Sequence, residues 1–69
     1  MSVYRVTEII GTSAKSWEDA AREALTAAAG SLRELRVAEV VELDITIGSN
    51  GDIDTFRSKL RVSFKYDPS

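Results

Sequence analysis

Two rhythms of hydrophobic and polar residues run along the chain, one of period two and one near 3.6, in the order strand, helix, strand, strand. Val3 to Ile10 is β-branched and apolar and reads as a first strand closed by Gly11. Ser16-Trp17-Glu18-Asp19 then carries a helix start: Ser16 caps free amides of the first turn, and Asp19, three positions on, answers as in a capping box. At 100° per residue, Trp17, Ala20, Ala21, Ala24, Leu25, Ala28, Leu32 and Leu35 form one stripe, with Glu18, Asp19, Arg22, Glu23 and Thr26 opposite. The stripe is mostly Ala, so this helix can lie close to a sheet while burying about 1 kcal/mol less per position than Leu would give. Gly30 lies on the polar side and weakens or ends the last turn.

The stretch Arg36 to Asp44, R-V-A-E-V-V-E-L-D, is a second strand with an awkward pattern. Strict alternation puts Glu39 among Val37, Val41 and Leu43, and Glu42 and Asp44 beside Ala38 and Val40, so acids interrupt both faces. The strand runs on through Ile45-Thr46-Ile47 into Asn50-Gly51, which predicts a hairpin whose type I′ turn needs positive φ at both central residues. From about Ile53 to Tyr66 the third strand alternates cleanly. Phe56, Leu60, Val62, Phe64 and Tyr66 share one face; Thr55, Arg57, Lys59, Arg61, Ser63 and Lys65 share the other. The apolar face meets the helix, and the basic face turns to solvent or to acids on neighbouring strands. A helical crossover makes strands one and two parallel, and the third fits between them antiparallel to both. The prediction is an α+β domain, βαββ, with a three-stranded antiparallel sheet in the order 1-3-2 wrapped around one helix, residues 1–69 forming a single unit that ends in an Asp67-Pro68-Ser69 tail.

Size changes the picture. A chain of 69 residues buries only about 60% of its unfolded surface, and with no Cys it has no disulfide, thiol nucleophile or thiolate metal site. The absence of His removes imidazole acid/base chemistry and the usual zinc ligands. One helix covers one face of a three-stranded sheet and leaves the other bare, so association with copies of itself is the expected reinforcement. The net charge of −2, from 9 basic and 11 acidic side chains, argues against nucleic acid as a partner. No apolar run approaches the roughly 20 residues that span a bilayer, and the N-terminus lacks the pattern of a signal peptide, so the expectation is a cytoplasmic protein away from membranes. Nothing in the spacing of Asp, Glu, Lys, Ser or Tyr singles out a catalytic group, and no enzymatic activity is expected.

Several local features, taken in order, resemble one family. The strand ending in Gly11-Thr12-Ser13, the Ala-rich helix opening at Ser16, the Ala38-Glu39-Val40 strand centre, the Ile47-Gly48 hairpin entry and the Val62-Ser63-Phe64 ending are similar to those of the dodecins. The resemblance spans essentially the whole chain. It implies a non-enzymatic hollow shell of twelve copies, a homododecamer that binds or stores a small ligand, in many members a flavin such as riboflavin or FMN. In those members a Trp on the second strand stacks on the isoalloxazine ring and a Gln on the third bonds its polar edge; here the matching positions hold Val37 and Arg57. Val has no π-face, and a lost stack removes roughly 0.5–1.5 kcal/mol beyond area burial. Arg57 donates but cannot accept from the ring N–H. Asp44 stands where many bacterial members carry a base, repelling a flavin phosphate, and Glu42 lies on the same strand. The resemblance therefore implies an altered flavin site around Val37, Arg57, Glu42 and Asp44.

Oxygen-rich residues suggest an ion as the ligand. Glu39, Glu42 and Asp44, repeated around a symmetry axis, offer the hard donors that Ca²⁺ or Mg²⁺ takes, Glu39 and Asp44 being the first candidates. The first expectation for these acids, ahead of an ion site, is pairing between subunits with Arg57, Arg61, Lys59 or Arg36. The turn residues Ser49, Asn50, Asp52 and Asp54 fail the calcium-loop pattern and read as a solvated hairpin. Some flavin-poor members of the resembled family bind calcium, which implies a Ca²⁺-binding assembly as a further alternative. Trp17 reads as a packing anchor rather than a substitute stacking platform.

Overall fold

The structure, a computed structural model, describes residues 2–31 and 34–65. The elements are β1 (Tyr4–Ser13), α1 (Trp17–Ala29), β2 (Leu35–Ile47) and β3 (Ile53–Lys65). The sheet is antiparallel throughout, in the order β1-β3-β2, as the helical crossover and hairpin require. The expectations for Leu32 on the helical stripe, for Tyr66 on the third strand and for the tail from Asp67 fall outside the described residues.

The helix begins where its cap lies. The Asp19 amide donates to Ser16 Oγ at 2.9 Å, while Ser16 itself is extended. Asp19 does not return the bond as a capping box would; its carboxylate instead accepts from Ser13 Oγ at 2.7 Å, tying the end of β1 to the first turn. Glu18 and Asp19 also place negative charge at the positive end of the helix dipole. The last turn closes at Gly30, the C-cap, and the chain reverses through Glu34, at φ 53°. Leu35 is thus the first residue of β2 rather than the last of the helical stripe, although it still packs against the core.

Along α1 the buried positions are Ala20, Ala24 and Ala28, one every four residues, and they press on β1 and β3. Gly11 does not end β1. It sits inside the strand, opposite Ser58, at the closest approach of helix and sheet: a Cβ built on it would lie 2.0 Å from the Ala20 carbonyl oxygen. The small core is completed by Leu60 and Val62, each 1% exposed, with Ile9, Ala21, Leu25 and Leu35 around them. Ser58, also fully buried, stands on the same face and donates from Oγ to the Trp17 carbonyl at 2.7 Å, so its polar group is satisfied. Trp17 lies edge-on to Phe56, with ring centroids 5.1 Å apart at 77°, and its Nε1 donates to the Asp44 carbonyl at 2.9 Å. It is the packing anchor the sequence predicts, joining the start of α1 to the β2–β3 ladder.

The hairpin differs from the type I′ expectation. Only Gly51 takes a positive φ, 88°, while Gly51 N donates to Gly48 O at 2.9 Å and Gly48 N to Asp52 O at 2.8 Å. This is a three-residue connection in which Gly51 alone supplies the left-handed residue.

Candidate functional site

Register determines what β2 shows to each side. β2 carries irregularities between Leu35 and Val37, between Val40 and Glu42, and between Thr46 and Ile47. A bulge inserts one residue and shifts the alternation by one. Val41 is that extra residue. Across it, Val37, Glu39, Glu42, Asp44 and Thr46 stand opposite Ser63, Arg61, Lys59, Arg57 and Thr55, whereas Ala38, Val40, Leu43 and Ile45 stand opposite Val62, Leu60, Ser58 and Phe56. Rung partners share a face. The acids of R-V-A-E-V-V-E-L-D therefore all lie on the side away from the helix, and the mixed faces of strict alternation do not exist. The signal that carried this was the adjacent pair Val40-Val41, where the period slips.

The face away from the helix is a lattice of opposite charges with bases down the middle strand. Arg61 lies between Glu8 of β1 and Glu39 of β2, at 3.1 and 3.6 Å; Lys59 reaches Glu8 at 3.7 Å; and Arg57 Nε holds Asp44 Oδ1 at 2.8 Å. The Arg61 hydrogen bond, with Lys59 close by, holds the Glu8 carboxyl below its ordinary value. These groups are about half exposed, so solvent screens each pair and none of them contributes much to stability on its own. Pairing of Glu39 and Asp44 with Arg61 and Arg57 was expected between subunits; it occurs within one protomer, because the third strand sits between the two that carry acids. Arg36 turns to Glu34 at 3.7 Å instead. Glu42 stands opposite Lys59, whose ammonium turns to Glu8, so the Glu42 carboxylate faces outward.

Of the candidate residues, the structure brings together Asp44 and Arg57 and separates the rest. Val37, 63% exposed, lies opposite Ser63, six residues along β3 from Arg57, a span of about 20 Å. One flavin cannot touch both in one protomer. Glu39 and Asp44 lie opposite Arg61 and Arg57, four residues apart on β3, about 13 Å, and no group of three acids close enough to hold a metal ion occurs among the described residues. The donor chemistry suits Ca²⁺, hard carboxylate oxygens on an open face. The geometry of one copy does not assemble a coordination sphere.

On the helix side, β2 is uncovered, because α1 lies over β1 and β3. Val40, Leu43 and Ile45 are 53%, 49% and 36% exposed there. Among the described residues, eleven large hydrophobic residues are exposed, against only two large apolar side chains fully buried. A monomer does not leave so much apolar surface in water, so the chain has the surface of a subunit.

The family model for dodecin matches residues 3–67. The chain belongs to the dodecin family. Its relatives include the calcium dodecin of Mycobacterium tuberculosis, 54% identical over 69 residues that cover all of this chain and 96% of that protein. The crystal structure of that relative superposes with a TM-score of 0.86, covering 99% of this dodecin and 96% of the other; it is described as calcium chelating, with a novel calcium-binding site. The dodecin of Streptomyces coelicolor matches with a TM-score of 0.92 at 34% identity, covering 99% and 96% of the two chains. A Thermus thermophilus protein matches over the full length of both chains at 35% identity and a TM-score of 0.89. The βαββ fold and the 1-3-2 sheet of this dodecin are thus those of its family. No described helix is long and apolar enough to cross a membrane.

Proposed function

We propose that this dodecin is a non-catalytic homododecameric shell that binds Ca²⁺ at sites closed by carboxylates of neighbouring copies. The observation that carries the reading is the 54% identity, across the whole chain, to a relative named calcium dodecin. Three features of the protomer agree with it. Glu39, Glu42 and Asp44 line one exposed face of the sheet-edge strand β2, where a second copy can add oxygens. The exposed apolar surface calls for assembly. The flavin positions hold Val37, without a π-face, and Arg57, already engaged by Asp44.

The ion-binding residues we assign are Glu39, Glu42 and Asp44, contributed by more than one copy. Isothermal titration of metal-stripped protein with CaCl₂ tests this. Saturable heat, reduced by Glu42→Gln and Asp44→Asn in protein that remains assembled, supports the assignment; unchanged binding in both variants overturns it, and absence of any binding overturns the Ca²⁺ reading itself. The second reading is riboflavin or FMN held between Val37 of one copy and Arg57 of another, favoured by the placement of both side chains on the open sheet face. Quenching of added riboflavin or FMN fluorescence by the assembled protein supports that reading, and unquenched flavin at high protein concentration removes it.

A further inference from the structure

The two ends of the protomer are complementary. At one end, the C-terminal half of α1 and the start of β2 diverge and leave an open groove of about 490 Å³. Leu25, Ala29, Leu35 and Val62 are among its apolar lining, and Arg22 and Arg36 also line it. Among the described residues Arg22 forms no ion pair, and Arg36 has only the 3.7 Å approach of Glu34. At the other end, the β2–β3 hairpin presents Ile47 and Ile53, rung partners that are 67% and 53% exposed, with Asp52 and Asp54 flanking Ile53. Neither Asp has a cationic partner among the described residues; the Asp52 carboxylate accepts only from the Asn50 side-chain amide. An apolar groove with arginines thus answers an apolar tip flanked by aspartates.

Within one chain these surfaces cannot meet. Val62 at the groove and Ile53 at the tip are nine residues apart on strand β3, about 30 Å along it, in a molecule 52 Å long and 20 Å wide. We infer that the hairpin tip of one copy seats in the helix–strand groove of the next, Ile47 and Ile53 on the apolar floor and Asp52 and Asp54 against Arg22 and Arg36. The two patches differ, so the contact is heterologous and propagates head to tail until it closes into a ring. It rests on the reading of this dodecin as a homo-oligomer and names a contact that builds it. It leaves the charged sheet face free for contacts of another kind.

A charge exchange tests the inference, read by sedimentation velocity over a dilution series, with far-UV circular dichroism reporting folding. Arg22→Glu and Asp54→Arg each place like charges at every joint, and each should raise the concentration of half-assembly by about tenfold or more. Combining both substitutions in one chain restores opposite charges at every joint and should return assembly to within about threefold of the parent protein. Ile47→Lys, on a side chain outside the protomer core, should dissociate the assembly while leaving folded chains. Parent-like assembly of both single variants overturns the tip-in-groove contact, as does a double variant no better than the singles. A parent protein that stays monomeric at every concentration overturns the underlying oligomer reading, which the contact shares, and is distinguished by appearing before any substitution is made.

Discussion

Gly11→Ala adds one methyl group where the helix has no room for it. The new Cβ would lie 2.0 Å from the Ala20 carbonyl oxygen, 3.0 Å from the Ala20 carbonyl carbon and 2.8 Å from the Ala24 Cβ. A carbon seldom approaches a carbonyl oxygen closer than about 3.3 Å, so α1 must withdraw by roughly 1.3 Å or β1 must bend. The blocking atom is backbone, fixed by the helix, and no rotamer change relieves it. Withdrawal would lift Ala20, Ala24 and Ala28, the three buried residues of α1, from Leu60 and Val62 beneath. Overpacking typically costs 1–3 kcal/mol, and an obstructing backbone places this case near about 3 kcal/mol. For a domain of this size that lowers Tm by roughly 12–24 °C. Urea and thermal unfolding at matched protein concentration, followed by Trp17 fluorescence, read the effect, since Trp17 packs on Phe56 and bonds to Asp44. A variant with an unfolding midpoint equal to the parent's would refute the close approach of helix and sheet on which the fold description rests.

Three further outcomes follow. Glu34 holds φ 53°, so Glu34→Gly should stabilise the protein by about 0.5–1 kcal/mol; a lower urea midpoint contradicts the left-handed geometry. The Glu8 carboxyl is lowered by Arg61 first and then Lys59, so its contribution to stability is complete above the ordinary carboxylate range and fades as pH falls below that range, through the depressed value; Glu8→Gln should flatten this acid limb of a Tm-against-pH curve, and an unchanged limb counts against the pairing. Val37→Trp with Arg57→Gln should create flavin quenching only in assembled protein, because the two positions are about 20 Å apart in one copy; quenching by a dissociated variant contradicts that placement.

Much of the architecture was legible because it depends on local pattern. Ser16 caps the helix, the Ala stripe marks its buried side, and the alternation from Phe56 to Phe64 fixes the middle strand and its basic outer face. What escaped the sequence is tertiary. Gly11 reads as a strand end by local propensity, but it is a strand residue kept small by a helix that only the folded chain brings near. Leu35 continues a helical period arithmetically, and the reversal at Glu34 places it in a strand. Asn50-Gly51 suggests two positive φ values, and the turn uses one. Ser58 was passed over on the apolar face because a hydroxyl breaks the pattern, yet it is fully buried through its bond to the Trp17 carbonyl.

The candidate site was less legible than the fold, and one inserted residue explains most of the difference. With Val41 in a bulge, four apolar side chains of β2 fall on one face and Glu39, Glu42 and Asp44 on the other. Glu39 and Asp44 then pair with Arg61 and Arg57 of their own chain, where the expectation was pairing between subunits, and Glu42 stands opposite a Lys59 that turns to Glu8. Val37 shares the outer face with Arg57 but not its neighbourhood, so resemblance to a flavin pocket identified positions that only a second copy can join.

The most direct measurement is native mass spectrometry of the purified protein, stripped of metal and then supplied with Ca²⁺. Twelve copies of the 7.6 kDa chain give about 91 kDa, and the account predicts that species, carrying Ca²⁺ adducts that chelator removes and that fall in number in Glu42→Gln. Monomers or dimers at all concentrations, or a twelve-copy particle without specific Ca²⁺ adducts, would contradict it.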